Sequence, residues 1–110
     1  MMTIFDVIAD PTRRRILNLL LQRPHLVGEL VDELKISQPG VSKQLRVLRE
    51  VGLVHVQQEA QRRWYILRPE PLKEIDLWLA AYRQSWSERF DNLDDYLRRL
   101  QEEEQDNGSE

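Results

Sequence analysis

Pro39 constrains this chain more than any other residue. A proline lacks the backbone N–H and its ring clashes with the preceding turn, so an α-helix accepts it only in its first turn. It stands between two short apolar series at helical spacing. Val27, Leu30, Val31 and Leu34 fall at i, i+3, i+4, i+7 before it, and Val41, Leu45 and Leu48 at i, i+4, i+7 after it. Ser37 is a natural N-cap for the second series, and Gly52 a natural stop. The spacing predicts a helix over 27–34, a break at Lys35-Ile36, and a second helix from Gln38 to about Val51. Two short helices joined by so tight a turn form a helix-turn-helix.

The flanks extend the pattern. Asp10-Pro11 reads as an N-cap followed by proline at N1, opening a helix to about Gln22 with Ile16, Leu17, Leu20 and Leu21 inward and Pro24 as its end. A weaker apolar face, Ile4, Phe5 and Ile8, precedes it. Downstream, the β-prone stretches 53–57 and 64–67 enclose the polar run 58–63, predicting a hairpin with Gln61, Arg62 and Arg63 at a charged tip. Arg68-Pro69-Glu70-Pro71 then launches a last helix carrying Leu72, Ile75, Leu79, Tyr82, Trp86, Leu93, Leu97 and Leu100. The predicted fold is mainly α with a small β-hairpin (α+β), a winged helix-turn-helix in one domain over 1–101. An acidic flexible tail is expected over 102–110.

Composition removes several functions. The 110 residues include no cysteine, so disulfides, thiolate metal sites and thiol switches are excluded. No apolar run approaches the roughly 20 residues that span a bilayer, and the first residues do not pattern as a leader, so a cytoplasmic protein without membrane contact is expected. Paired carboxylates in a plausible pocket, a Ser-His-Asp set and a phosphate-binding glycine loop are all lacking, which argues against an enzyme. The net charge of −3 hides an asymmetry: residues 1–68 carry +4, and residues 69–110 carry −7. One end of the molecule is thus suited to face a polyanion.

Helical geometry picks out the candidate contacts. With Val41, Leu45 and Leu48 inward, steps of about 100° turn Pro39, Ser42, Lys43 and Arg46 outward and leave Gln38 at the helix start. Arg and Lys pair with guanine and Gln with adenine, so this face suits the DNA major groove. Arginines on a hairpin suit phosphate or the minor groove. Arg13, Arg14 and Arg15 span about 200° of helix, and so are either a solvated face or include one phosphate contact. His25 and His55 read as solvent-exposed, since zinc at either would require converging carboxylates. No metal or cofactor is expected.

The run 37–54 (SQPGVSKQLRVLREVGLV), with Asp10–Leu17 and Arg62–Leu67 at the right separations, resembles the ArsR/SmtB family of bacterial repressors over roughly residues 3–100. The resemblance implies a dimeric winged helix that represses transcription from a double-stranded DNA operator. It also implies a DNA-facing role for Gln44, which stands where the family often has His, and Gln61 stands where the hairpin commonly has Gly. Metal-sensing members carry a Cys motif on the helix matching 27–34, or His and acidic ligands on the last helix. Residues 27–34 have no Cys and 72–100 no His, so the resemblance is to the subgroup without a metal site. The sequence identifies no inducer.

Trp78, Tyr82 and Trp86 form an aromatic stripe on the last helix. So small a domain cannot cover this helix alone, which predicts a homodimer through Phe5, Ile8, Leu72, Ile75, Trp78, Leu79, Tyr82 and Trp86. The alternative is a winged helix that binds a protein instead of DNA, and sequence-specific DNA affinity separates the two.

Overall fold

Capping side chains set where the helices begin. In the computed structural model, which describes residues 2–107, the Thr3 hydroxyl accepts from the Asp6 amide and the Asp6 carboxylate accepts from the Thr3 amide. This capping box opens α1 (Ile4–Ala9). Asp10 Oδ1 then accepts from the Thr12 amide at 2.7 Å and, with Pro11 at N1, opens α2 (Pro11–Gln22). α3 (Val27–Leu34) ends at Lys35, a left-handed residue at φ 56° whose N–H reaches the Val31 carbonyl. Ser37 Oγ accepts from the Gly40 amide at 3.2 Å and starts α4 (Gln38–Glu50) with Pro39 in its first turn. Gly52, at φ 82°, turns the chain out of it.

The hairpin follows as β2 (Val54–Glu59) and β3 (Arg62–Leu67), and a 3₁₀ turn (Glu70–Leu72) leads into α5 (Lys73–Asn107). A further strand that the sequence did not suggest, β1 (His25–Leu26), pairs antiparallel with β3 through His25–Tyr65 and Leu26–Trp64, giving the sheet order β1-β3-β2. Two residues are too few to show any periodicity. The sheet also alters the reading of the histidines. His25 is buried, with Nδ1 donating to the Arg23 carbonyl at 2.8 Å, and His55 on β2 is half-buried.

The core forms where the helical spacings placed it. Ile16, Leu20, Leu30, Leu34, Val41, Leu45 and Leu48 are buried together with Ile4, Val7, Leu53, Val54 and Tyr65. Leu21, predicted inward, is 72% exposed. The neighbouring Leu20 fills the inward position at the end of α2.

The chain divides into two compact units, Met1–Ile75 and Asp76–Glu110. The first holds α1–α4, the sheet and the start of α5, and Leu72 and Ile75 pack against its core. The second is the remainder of α5. That helix continues through 102–107, part of the segment predicted as a flexible tail, because Gln and Glu favour helix and no Gly or Pro occurs before Gly108. Residues 108–110 of the predicted tail lie outside the described residues.

Candidate nucleic-acid interface

Helix α4 is sharply two-faced. Val41, Leu45 and Leu48 are buried, whereas Gln38, Pro39, Ser42, Lys43 and Arg46 are exposed. Pro39, Ser42, Lys43 and Arg46 line one shallow concavity. Two of these side chains are cationic and the positive end of the helix dipole lies at Gln38, so the face attracts anions and offers hydrogen-bonding groups along one side.

The wing is more regular than its polar sequence suggested. β2 and β3 pair without interruption from Val54–Leu67 to Glu59–Arg62. Only Ala60 and Gln61 remain in the turn, and Ala60 adopts φ 54°. Arg62 and Arg63, predicted at the tip with Gln61, are therefore strand residues. Their side chains leave opposite faces of the sheet, since successive strand residues alternate. Arg63 shares its face with the buried Tyr65, and Arg62 shares the other with Trp64.

Helix and wing meet at a single cleft of about 420 Å³. Gln38 and Ser42 line it from α4, and Gln61, Arg62 and Arg63 from the wing. Tyr65 and the α3 approach, Leu26, Val27 and Gly28, complete it. These last four were not found from the sequence, because β1 sets their position. The sequence-predicted helix and wing residues are thus brought to one surface, with Gln44 the exception. Gln44 is half-buried, and its Oε1 accepts from Arg13 Nη1 at 2.9 Å.

The arginine triplet resolves into different roles. Arg13 is 9% exposed and donates to the Val7 and Asp6 carbonyls. Arg14 donates to those of Ile8 and Ala9. Together they satisfy the last four residues of α1, whose carbonyls point beyond the helix end. Arg15 is exposed.

On α5, Trp78, Tyr82 and Trp86 are each about half exposed, and the Trp78 and Tyr82 rings lie 5.1 Å apart at 54°. Leu79 is half-buried, as is Ile8 on α1, while Phe5 is more exposed. Among the described residues no group of three or more His, Cys, Asp or Glu stands together as metal ligands. No helix among them is long and apolar enough to cross a membrane.

Comparison with known proteins places residues 10–56 within the family described as bacterial regulatory protein, arsR family. The chain is 37% identical over 73 residues to the uncharacterized HTH-type transcriptional regulator MJ1325 of Methanocaldococcus jannaschii, covering 66% of this chain and 82% of that one. It is 30% identical over 82 residues to the transcriptional repressor SdpR of Bacillus subtilis, covering 74% and 91%. Among solved structures, an ArsR family transcriptional regulator superposes with a TM-score of 0.66 at 30% identity, over 76% of this chain and 87% of that one.

Proposed function

Because the chain belongs to the ArsR family of bacterial regulatory proteins, we propose that it represses transcription by occupying an inverted-repeat DNA operator as a homodimer. It is a DNA-binding transcriptional regulator and not an enzyme. The observation that carries the finer reading is the cleft in which Gln38 and Ser42 of α4 face Arg62 and Arg63 of the wing. With α4 in the major groove, Lys43 and Arg46 reach base edges or the flanking phosphates, and Gln38 and Ser42 contact the strand that runs through the cleft. The wing arginines follow that strand's backbone or enter the minor groove.

The dimer reading rests on α5. Trp78, Tyr82 and Trp86 expose an aromatic face on α5, and pairing it and Leu79 with a second copy removes that surface from water; Phe5 and Ile8 of the first unit are the contacts proposed from α1. Leu72 and Ile75, partly used by the chain's own core, contribute what remains exposed. A two-fold dimer sets two recognition helices roughly 34–36 Å apart, one turn of duplex, and hence calls for a palindromic site. Control without a metal fits a chain that has no cysteine and no histidine on α5.

The test is fluorescence-anisotropy titration of a duplex from the promoter of the protein's own gene, beside a scrambled duplex, across a salt series. Preference for the promoter, with affinity falling on the order of a thousand-fold between about 50 and 200 mM salt, is expected. Equally weak binding to this duplex, to other promoter fragments and to the scrambled control would overturn the reading in favour of a protein-binding winged helix.

A further inference from the structure

We propose that Gln44 reads no base, and that through Arg13 it is the positioning residue that sets α4 against α1 for DNA binding. The inference rests on the reading of α4 as the DNA-contacting helix. Gln44 sits midway along α4, about 60° of helical rotation from the core direction, and lines neither concavity that Gln38, Pro39, Ser42, Lys43 and Arg46 share. Its carbonyl oxygen is already engaged by Arg13 Nη1 at 2.9 Å. Pairing with adenine uses both the oxygen and the amide of a glutamine, so a Gln44 held this way has lost half of what base reading needs.

Arg13 explains why the bond is rigid. Its guanidinium is almost wholly buried, and each of its nitrogens is used. Nε donates to the Val7 carbonyl at 2.6 Å, Nη2 to the Asp6 carbonyl at 3.1 Å, and Nη1 to Gln44, with Asp10 Oδ2 at 3.4 Å from the same nitrogen. A planar fork held at three points has no rotamer freedom left, which a lysine could not reproduce. The C-terminal end of α1 and the middle of α4, 31 residues apart in sequence between Arg13 and Gln44, are thereby joined through one side chain. A change in the setting of α4 alters every base contact together, and therefore weakens binding without changing which base is preferred at any position.

Gln44→Ala and Gln44→Glu separate positioning from reading, because Glu keeps an acceptor for Arg13 but lacks the amide that adenine requires. Both are titrated against the operator, a panel of singly substituted operators and a scrambled duplex, with thermal melts as a folding control. Gln44→Ala is expected to lose roughly tenfold in operator affinity, with unchanged base preference at each position and an unchanged salt slope. Gln44→Glu is expected to recover the operator-to-scrambled ratio, even if its added negative charge weakens binding to both duplexes. The Arg13 Nη1–H resonances, read by NMR without DNA, are expected to stay protected from exchange in wild type and Gln44→Glu and to lose protection in Gln44→Ala, while Nε–H stays bonded to the Val7 carbonyl in all three. Relaxed preference at one base pair in Gln44→Ala, not recovered in Gln44→Glu, would overturn the positioning role while leaving the repressor reading intact. A wild type that does not distinguish any promoter duplex from scrambled DNA would overturn both.

Discussion

The backbone N–H of Arg68 donates to the Leu53 carbonyl at 2.7 Å, and the Leu53 N–H donates to the Leu48 carbonyl at 3.0 Å. One residue therefore ties the end of α4 to the base of the wing, and its side chain is fully buried. Leu53→Ala would open a cavity at that junction, and is expected to cost about 2–4 kcal/mol in urea denaturation. A loss below about 1 kcal/mol would mean that the junction collapses around the gap and is not a fixed point of the fold.

Lys43 and Arg46 are exposed on α4 and make no hydrogen bond or ion pair among the described residues. Replacing either with Ala is expected to leave the melting temperature within a few degrees, because exposed substitutions away from packed features are near neutral. Operator affinity should fall by about 1–3 kcal/mol where the side chain pairs with a base, with preference relaxed at that position. Calorimetric melts and titrations on substituted operators check both halves. Unfolding in either variant would show that the wrong face had been assigned.

The two wing arginines are not equivalent, since they leave opposite faces of β3. Both line the cleft that α4 also lines, and Arg63 alone lies on the same face of β3 as Tyr65, the other β3 residue in its wall. Arg63→Ala is therefore expected to weaken DNA binding more than Arg62→Ala. Each lost phosphate contact lowers the log–log salt slope by about one. Anisotropy titrations of the single and double variants at several salt concentrations measure this directly, and a larger effect from Arg62 would reverse the assigned orientation.

The legible parts of this fold are those written in local chemistry. Asp10-Pro11 and Ser37-Gln38-Pro39 mark helix starts through cap and proline geometry, and the structure begins α2 and α4 there. Val41, Leu45 and Leu48 define the inward face of α4 by spacing alone, and so define its outward face as well. The parts that could not be read depend on contacts between distant residues. β1 exists only because His25 and Leu26 meet Tyr65 and Trp64. Arg13 and Gln44 look like surface residues until α1 and α4 are packed, after which one is buried and the other half-buried. The wing tip is not legible because a polar run looks like loop, whereas the pairing of Glu59 with Arg62 carries the strands up to a two-residue turn.

Lys35 and Ala60 hold left-handed backbone conformations, at φ 56° and φ 54°. A side chain there crowds the backbone, at a cost of about 1–2 kcal/mol that glycine avoids, and the greater freedom of glycine in the unfolded chain returns part of it. Lys35→Gly and Ala60→Gly are each expected to stabilise the protein by about 0.5–1 kcal/mol in chemical denaturation. The wing turn is the more informative site, since Ala60→Gly also tests whether wing geometry limits DNA affinity. Destabilisation by either change would mean that the positive φ is not maintained in solution.

Glu29 gives the fold a pH dependence. Its carboxylate pairs with the Arg23 guanidinium at 3.0 and 3.3 Å and accepts from the Leu26 amide at 2.9 Å, standing in for the missing side-chain cap of α3. Arg23 first and the Leu26 amide second hold the Glu29 carboxyl below its ordinary value of 4.5. A carboxyl whose folded pKa is depressed adds stability that is fully present above the unfolded value and is lost as the pH falls through the folded one. Replacing Glu29 with Gln should therefore open a stability gap that is constant from neutral pH down to about pH 5.5 and closes in more acidic solution. The gap should be small, because the ion pair is partly solvated and salt screens it. Denaturation of both proteins at a series of pH values reads this directly. A gap that persists unchanged well below the ordinary carboxylate range would assign the contribution of Glu29 to packing rather than to its charge.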